Sequence, residues 1–119
     1  MDKLKTHIKL GKKTYWLSER SANDVFVIEK FSKTAEFKRA YKNDEEKGIA
    51  LSTIILAQYF NSYYKDIPFY KVFSKIKYKV LSNYKVLRNY FPLSIIERLL
   101  IAGNHLEKQV KKKMSLKYS

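Results

Sequence analysis

Polar and apolar positions alternate at the start of the chain. Leu4, Thr6, Ile8 and Leu10 fall on one side and Lys5, His7 and Lys9 on the other, the two-residue period of a half-buried strand. Gly11-Lys12 supplies a two-residue turn with glycine where positive φ is needed, and Thr14 to Leu17 returns as the partner strand. This register sets Ile8 opposite Tyr15 and His7 opposite Trp16. An isolated hairpin is marginal in water, so its Ile8, Leu10, Tyr15 and Leu17 face is expected to lie on helices from the rest of the chain.

From Ser21 onward the period lengthens. Ser21 with Asp24 three residues on reads as a capped helix start, followed by Val25, Ile28 and Phe31 with Phe26 and Val27 widening the stripe. This helical region covers 22–41, as one bent helix or as two short ones, because Ser32-Lys33-Thr34 has weak helix propensity. Asn43 followed by Asp44, Glu45 and Glu46 caps a helix over 44–65 and places acids where the helix dipole favours them. Its residues are apolar or small nearly all round from Ile49 to Tyr64, which makes it the central helix. Pro68 in a first turn opens a helix over 68–90. Its expected inward stripe is Phe69, Val72, Phe73, Ile76, Val80, Leu87 and Phe91, with lysines opposite. Pro92 marks the next junction, and Ile95, Ile96, Leu99, Leu100, Leu106 and Val110 define a last helix over 94–113. The tail from Lys108 to Lys117 is expected to fray or project. The expected fold is mainly α: one domain over 1–119, with an N-terminal β-hairpin (4–17) packed on a bundle of about four helices.

Composition narrows the chemistry. A length of 119 residues suits one domain, and 45% hydrophobic residues suffice for a packed core. The absence of cysteine excludes disulfides, thiol catalysis and thiolate metal sites. No apolar run reaches the roughly 20 residues of a membrane span, and Met1-Asp2-Lys3-Leu4-Lys5 lacks the apolar region of a signal peptide. A cytoplasmic protein is therefore expected. His7 and His105 are far apart and form no metal pair, and three glycines in all are too few for a phosphate-binding loop. Asp44, Glu45 and Glu46 point different ways around one turn, and no serine sits in a nucleophile elbow. Neither catalytic residues, a metal nor a cofactor are expected.

Charge is the outstanding feature. There are 25 Lys plus Arg against 11 Asp plus Glu, a formal +14, and 21 of the 25 are Lys. A/T-rich coding and a selected polyanion-binding role are two equally weighted readings of this excess, and Arg, the better fork for phosphate and guanine, is scarce. The charge is nevertheless uneven: residues 1–60 carry 12 basic and 8 acidic side chains, residues 61–119 carry 13 and 3. Lys71, Lys75, Lys77, Lys79, Lys85 and Arg88, with Lys111, Lys112 and Lys113 of the tail, are the candidate polyanion-binding residues. Interleaved Tyr can stack on unpaired bases, so a sequence-nonspecific nucleic-acid binder is the alternative reading. Trp16, Tyr78 and Tyr84 are the candidate protein contacts, since Tyr and Trp are favoured at interfaces.

The N-terminal run HIKLGKKTYWLSERSANDVFVIEKF, a hairpin followed by a capped helix, resembles the opening of bacteriophage tail assembly chaperones over about residues 6–31. That resemblance implies a non-enzymatic protein that binds other virion proteins during assembly, in a bacterial host cell or virion, and carries over no site residues. The expected function is accordingly a protein-interaction or assembly role, with another protein or a second copy as partner.

Overall fold

A computed structural model describes residues 3–118, and the side-chain surroundings of residues 3–113. Strands β1 (Lys5–Leu10) and β2 (Lys13–Ser18) pair antiparallel, with Ile8 opposite Tyr15 and His7 opposite Trp16 as the alternation requires. Gly11 turns the chain at φ +63°, the left-handed region that glycine enters without steric cost. Tyr15 and Leu17 are buried and Ile8 and Leu10 half-buried against the helices, so the hairpin closes one side of the core.

Among the described residues the helical part divides into six. Helix α1 (Ala22–Ser32) opens on the capping box: Ser21 Oγ accepts from the Asp24 amide and Asp24 Oδ2 from the Ser21 amide, both at 3.1 Å. The 22–41 region is two helices, because Thr34 breaks off α1 and caps α2 (Ala35–Ala40), its Oγ1 accepting from the Phe37 amide. Of the expected α1 stripe only Ile28 is buried; Val25, Phe26 and Val27 face solvent. Helix α3 (Asp44–Lys65) starts on the Asn43 cap, whose Oδ1 accepts from Glu46 at 2.8 Å, and lies at the centre of the molecule. It packs on α1, on β2 and on the helices that follow it in the chain, and buries Leu56, Ala57, Tyr59 and Phe60 among them.

The expected continuous helix over 68–90 is not formed. Pro68 heads a turn rather than a helix, with the Lys71 amide donating to the Pro68 carbonyl at 3.0 Å and Phe69 and Tyr70 at the tip. Helix α4 (Val72–Leu81) follows, then a break at Ser82-Asn83, then α5 (Tyr84–Tyr90). Asn83 causes the break, because its Oδ1 accepts from the Lys85 amide at 3.0 Å and competes with helix continuation. Helix α6 (Leu93–Tyr118) is longer than expected, running through the tail. Lys108 and Lys111 to Lys113 are exposed; the side chain of Lys117 and the Met1-Asp2 start lie outside the described residues. The fold is mainly helical with a two-stranded N-terminal hairpin.

Candidate docking face

The expected inward stripe of the 68–90 region is reversed over its first half. Phe69 is 84% exposed, Tyr70 70% and Phe73 90%, and Val72, Ile76 and Val80 are each about half exposed. Only at the far end do Leu87 and, in part, Phe91 turn inward. The side of α4 that meets the core carries Tyr78 and Leu81 instead.

Tyr78 accounts for this rotation. Its ring packs against Phe60 and Tyr63, with centroids 6.0 and 4.6 Å away, and its hydroxyl accepts a hydrogen bond from the Trp16 amide at 2.9 Å. No phenylalanine or valine on the opposite side of α4 can satisfy that amide, and leaving it unpaired costs about 1–3 kcal/mol. Burial raises the Tyr78 hydroxyl's pKa, outweighing the Trp16 hydrogen bond that favours the ionised form. Burial raises the Tyr63 pKa as well.

The lysines of α4 line the borders of the exposed stripe rather than a face opposite to it. Lys75 Nζ lies 4.4 Å and Lys79 Nζ 5.4 Å from the centroid of the Tyr64 ring. Lys77 Nζ lies 5.0 Å from the Tyr15 ring and donates to the Thr14 carbonyl at 3.1 Å. Desolvation, and then the charge of Lys13, holds the Lys77 ammonium below the ordinary lysine range. These side chains set their ammonium heads against aromatic rings, a cation–π arrangement, and the Lys77 head is also tied to the hairpin backbone.

Between the hairpin, the end of α3 and the start of α4, away from the stripe, a cleft of about 610 Å³ is lined by Lys3, Lys5 and Lys71 together with Tyr63, Ile67 and Ser74. Its acid is Asp66, 3.5 Å from Lys3 Nζ. Between Asp66 and Glu97 the chain has no acidic residue, while six basic ones fall there: Lys71, Lys75, Lys77, Lys79, Lys85 and Arg88. This acid-free run was readable in the sequence and marks the surface more sharply than the division into halves.

The other candidates disperse. Arg88 donates to the Tyr41 hydroxyl at 3.0 Å on a different helix pair, and Lys85 is exposed on α5. Lys111 lines a separate cavity of about 490 Å³ beside Arg20, Ser21, Val25 and Glu107, and Lys112 and Lys113 are exposed further along α6. Of the protein-contact candidates, Tyr78 is a core residue and Tyr84 is half-buried against the core. Trp16 is half-buried too, stacked on Tyr63 at 5.9 Å and covered by His7 at 4.6 Å.

A polar clasp holds the opposite end of the hairpin. The Arg20 side chain, 8% exposed, donates through Nε to Glu107 at 2.8 Å and through a terminal nitrogen to Gln58 at 3.0 Å, and Gln58 donates to the Asp24 carbonyl. The guanidinium also lies 5.4 Å from the Tyr59 ring. The Tyr59 hydroxyl is buried without a well-formed hydrogen bond, although Glu107 and Arg20 are close enough to act on it. Burial first, then Glu107, pushes its pKa up. Here Arg20 and Glu107 compensate each other, so the clasp joins α1, α3 and α6 rather than offering a free charge.

Among the described residues no three His, Asp or Glu side chains gather as a metal site, and no helix is long and apolar enough to cross a membrane. No protein-family model matches this chain, and no match to it emerges among curated proteins or solved structures.

Proposed function

We propose that the chain is a non-enzymatic docking protein that works through the outward face of α4 and the Phe69-Tyr70 turn. The observation that carries this reading is the exposure of Phe69, Tyr70, Val72, Phe73, Ile76 and Val80 as one stripe. A ring of this kind carries about 150–250 Å², so the three aromatic residues alone present on the order of 400 Å². That is within the range of the largest patches monomers leave uncovered, which are often functional. An assembly role beside virion proteins, implied by the resemblance of residues 6–31, would be one setting for such a face. The nucleic-acid reading keeps the acid-free basic run in its favour, but it gives no role to the aliphatic members of the stripe, which have no π-face on which a base can stack.

The test is site-specific photo-crosslinking in the cells that make the protein, with the probe replacing Phe73 and, as control, Lys33 at the α1–α2 junction. Adducts from position 73, whether to protein or to lipid, and none from position 33 are expected. No adduct at 73, or the same pattern from both positions, removes the reading.

A further inference from the structure

We infer that the partner of this face is an anionic phospholipid surface, on which α4 lies with its apolar stripe turned into the headgroup boundary. The inference rests on the docking reading above and names its partner.

At about 100° per residue, Val72, Phe73, Ile76 and Val80 fall within about a third of the helix circumference, with Lys75 and Lys79 along one border and Lys77 along the other. An interfacial helix has this arrangement: apolar side chains buried in the headgroup boundary, and lysine heads at the level of the phosphates. Phe69 and Tyr70 extend the apolar surface past the helix start on an exposed turn. Lys71, one turn before Lys75, continues the Lys75–Lys79 border to the helix start.

Charge and shape select this occupant. A second copy would set one acid-free lysine border against another, in a chain whose formal net charge is already +14, and like charges repel. A nucleic acid would engage the lysines and leave Val72, Ile76 and Val80 in water. Phe69 and Phe73 stand proud of the surface, and a lipid boundary accepts protruding rings without a matching concavity.

The experiment is co-sedimentation of the full chain with vesicles of neutral phosphatidylcholine and with vesicles also containing phosphatidylglycerol. Partitioning onto the anionic vesicles and little onto the neutral ones is expected, weakening as salt rises. Replacing Phe69→Ser and Phe73→Ser together should reduce partitioning at least about tenfold. Both side chains are exposed, so the fold should persist, which circular dichroism checks. Replacing Lys71→Gln, Lys75→Gln and Lys79→Gln should reduce it similarly and flatten the salt dependence. Replacing Lys111→Gln, Lys112→Gln and Lys113→Gln removes the same charge elsewhere and should leave it within about twofold, since a lysine acts only within about a Debye length of the surface.

Equal partitioning onto both vesicle types, none onto either, or an equal loss from the tail substitutions overturns the inference. Failure on vesicles with discrete protein adducts at position 73 overturns the lipid assignment alone and leaves the docking reading standing. Failure on vesicles with no adduct at that position removes both.

Discussion

Helices α3 and α4 are built from the same kinds of residue and stand in opposite relations to water. In α3 the aromatic and aliphatic side chains turn inward: Leu56, Tyr59 and Phe60 are fully buried beneath the hairpin, α4, α5 and α6. In α4 the strongest apolar stripe turns outward, and a tyrosine with a polar tip takes the inward position. Apolar periodicity defines a stripe on a helix but not the direction in which it points. Where the stripe is left uncovered, it is evidence about function rather than about stability.

The largest test of this contrast is paired truncation. Leu56→Ala or Phe60→Ala in α3 should cost about 3–5 kcal/mol, since each leaves a cavity in a closed core. Such a loss is a large share of a small domain's total stability and should appear as a marked drop in Tm or in denaturation midpoint. A smaller effect is expected at the α3–α6 contact. A Cβ added at Gly103 would lie 2.4 to 2.8 Å from three atoms of the Tyr59 ring. Gly103→Ala should therefore destabilise by about 1–3 kcal/mol despite alanine's better helix propensity, and a stabilised variant would show that Tyr59 can move aside.

Tyr78→Phe tests what fixes the direction of α4. It keeps the ring and removes the acceptor of the Trp16 amide, so a loss of about 1–2 kcal/mol is expected in denaturant unfolding, with faster exchange of the Trp16 amide in NMR. Alkaline pH bears on the same core. Tyr59, Tyr63 and Tyr78 all have raised pKa values, chiefly through burial. Above the unfolded tyrosine pKa of about 10 the native state thus binds more protons than the unfolded one. The stability these groups contribute is complete below about pH 10 and is lost as pH rises, by at most about 1.4 kcal/mol per pH unit for each tyrosine. Lys77, with its pKa lowered, acts in the opposite sense, adding stability as pH rises toward the unfolded lysine value. It is one exposed group against three, so a net fall in Tm above about pH 10 is expected. The smallest effect closes the comparison: Phe73→Ala in α4 should change stability by no more than about 0.5 kcal/mol. A loss approaching that of Phe60→Ala would mean that the outward face of α4 is covered in the folded protein.

The parts of the fold that could be read from residue order are those held by neighbours in the chain. The hairpin register, the Gly11 turn, the Ser21–Asp24 capping box and the Asn43 cap each depend on residues within a few positions of one another. The bounds of α3 follow from the same kind of signal. The break at Ser82-Asn83 was also encoded locally, by the Asn83 side chain, but an uninterrupted apolar period across it hid the signal. At the candidate site, Lys75 and Lys79 lie together against Tyr64, whereas Lys77 lies across the helix against Tyr15 and Lys71 lines the cleft beside the hairpin. Arg88 and Lys111 to Lys113 belong elsewhere, and Phe69 and Phe73, core residues by periodicity, face solvent.

Sequence by itself determined the mainly helical class, the positions of most helix starts, and the concentration of positive charge between Asp66 and Glu97. Only tertiary structure decided which side of α4 faces inward. Two faces of that helix were apolar enough to bury, the interior had room for one, and the Trp16 amide required an acceptor. Tyr78 supplies it from a position more than sixty residues away, a constraint that no local pattern records. Meeting it turned Phe69, Phe73 and their neighbours out to solvent.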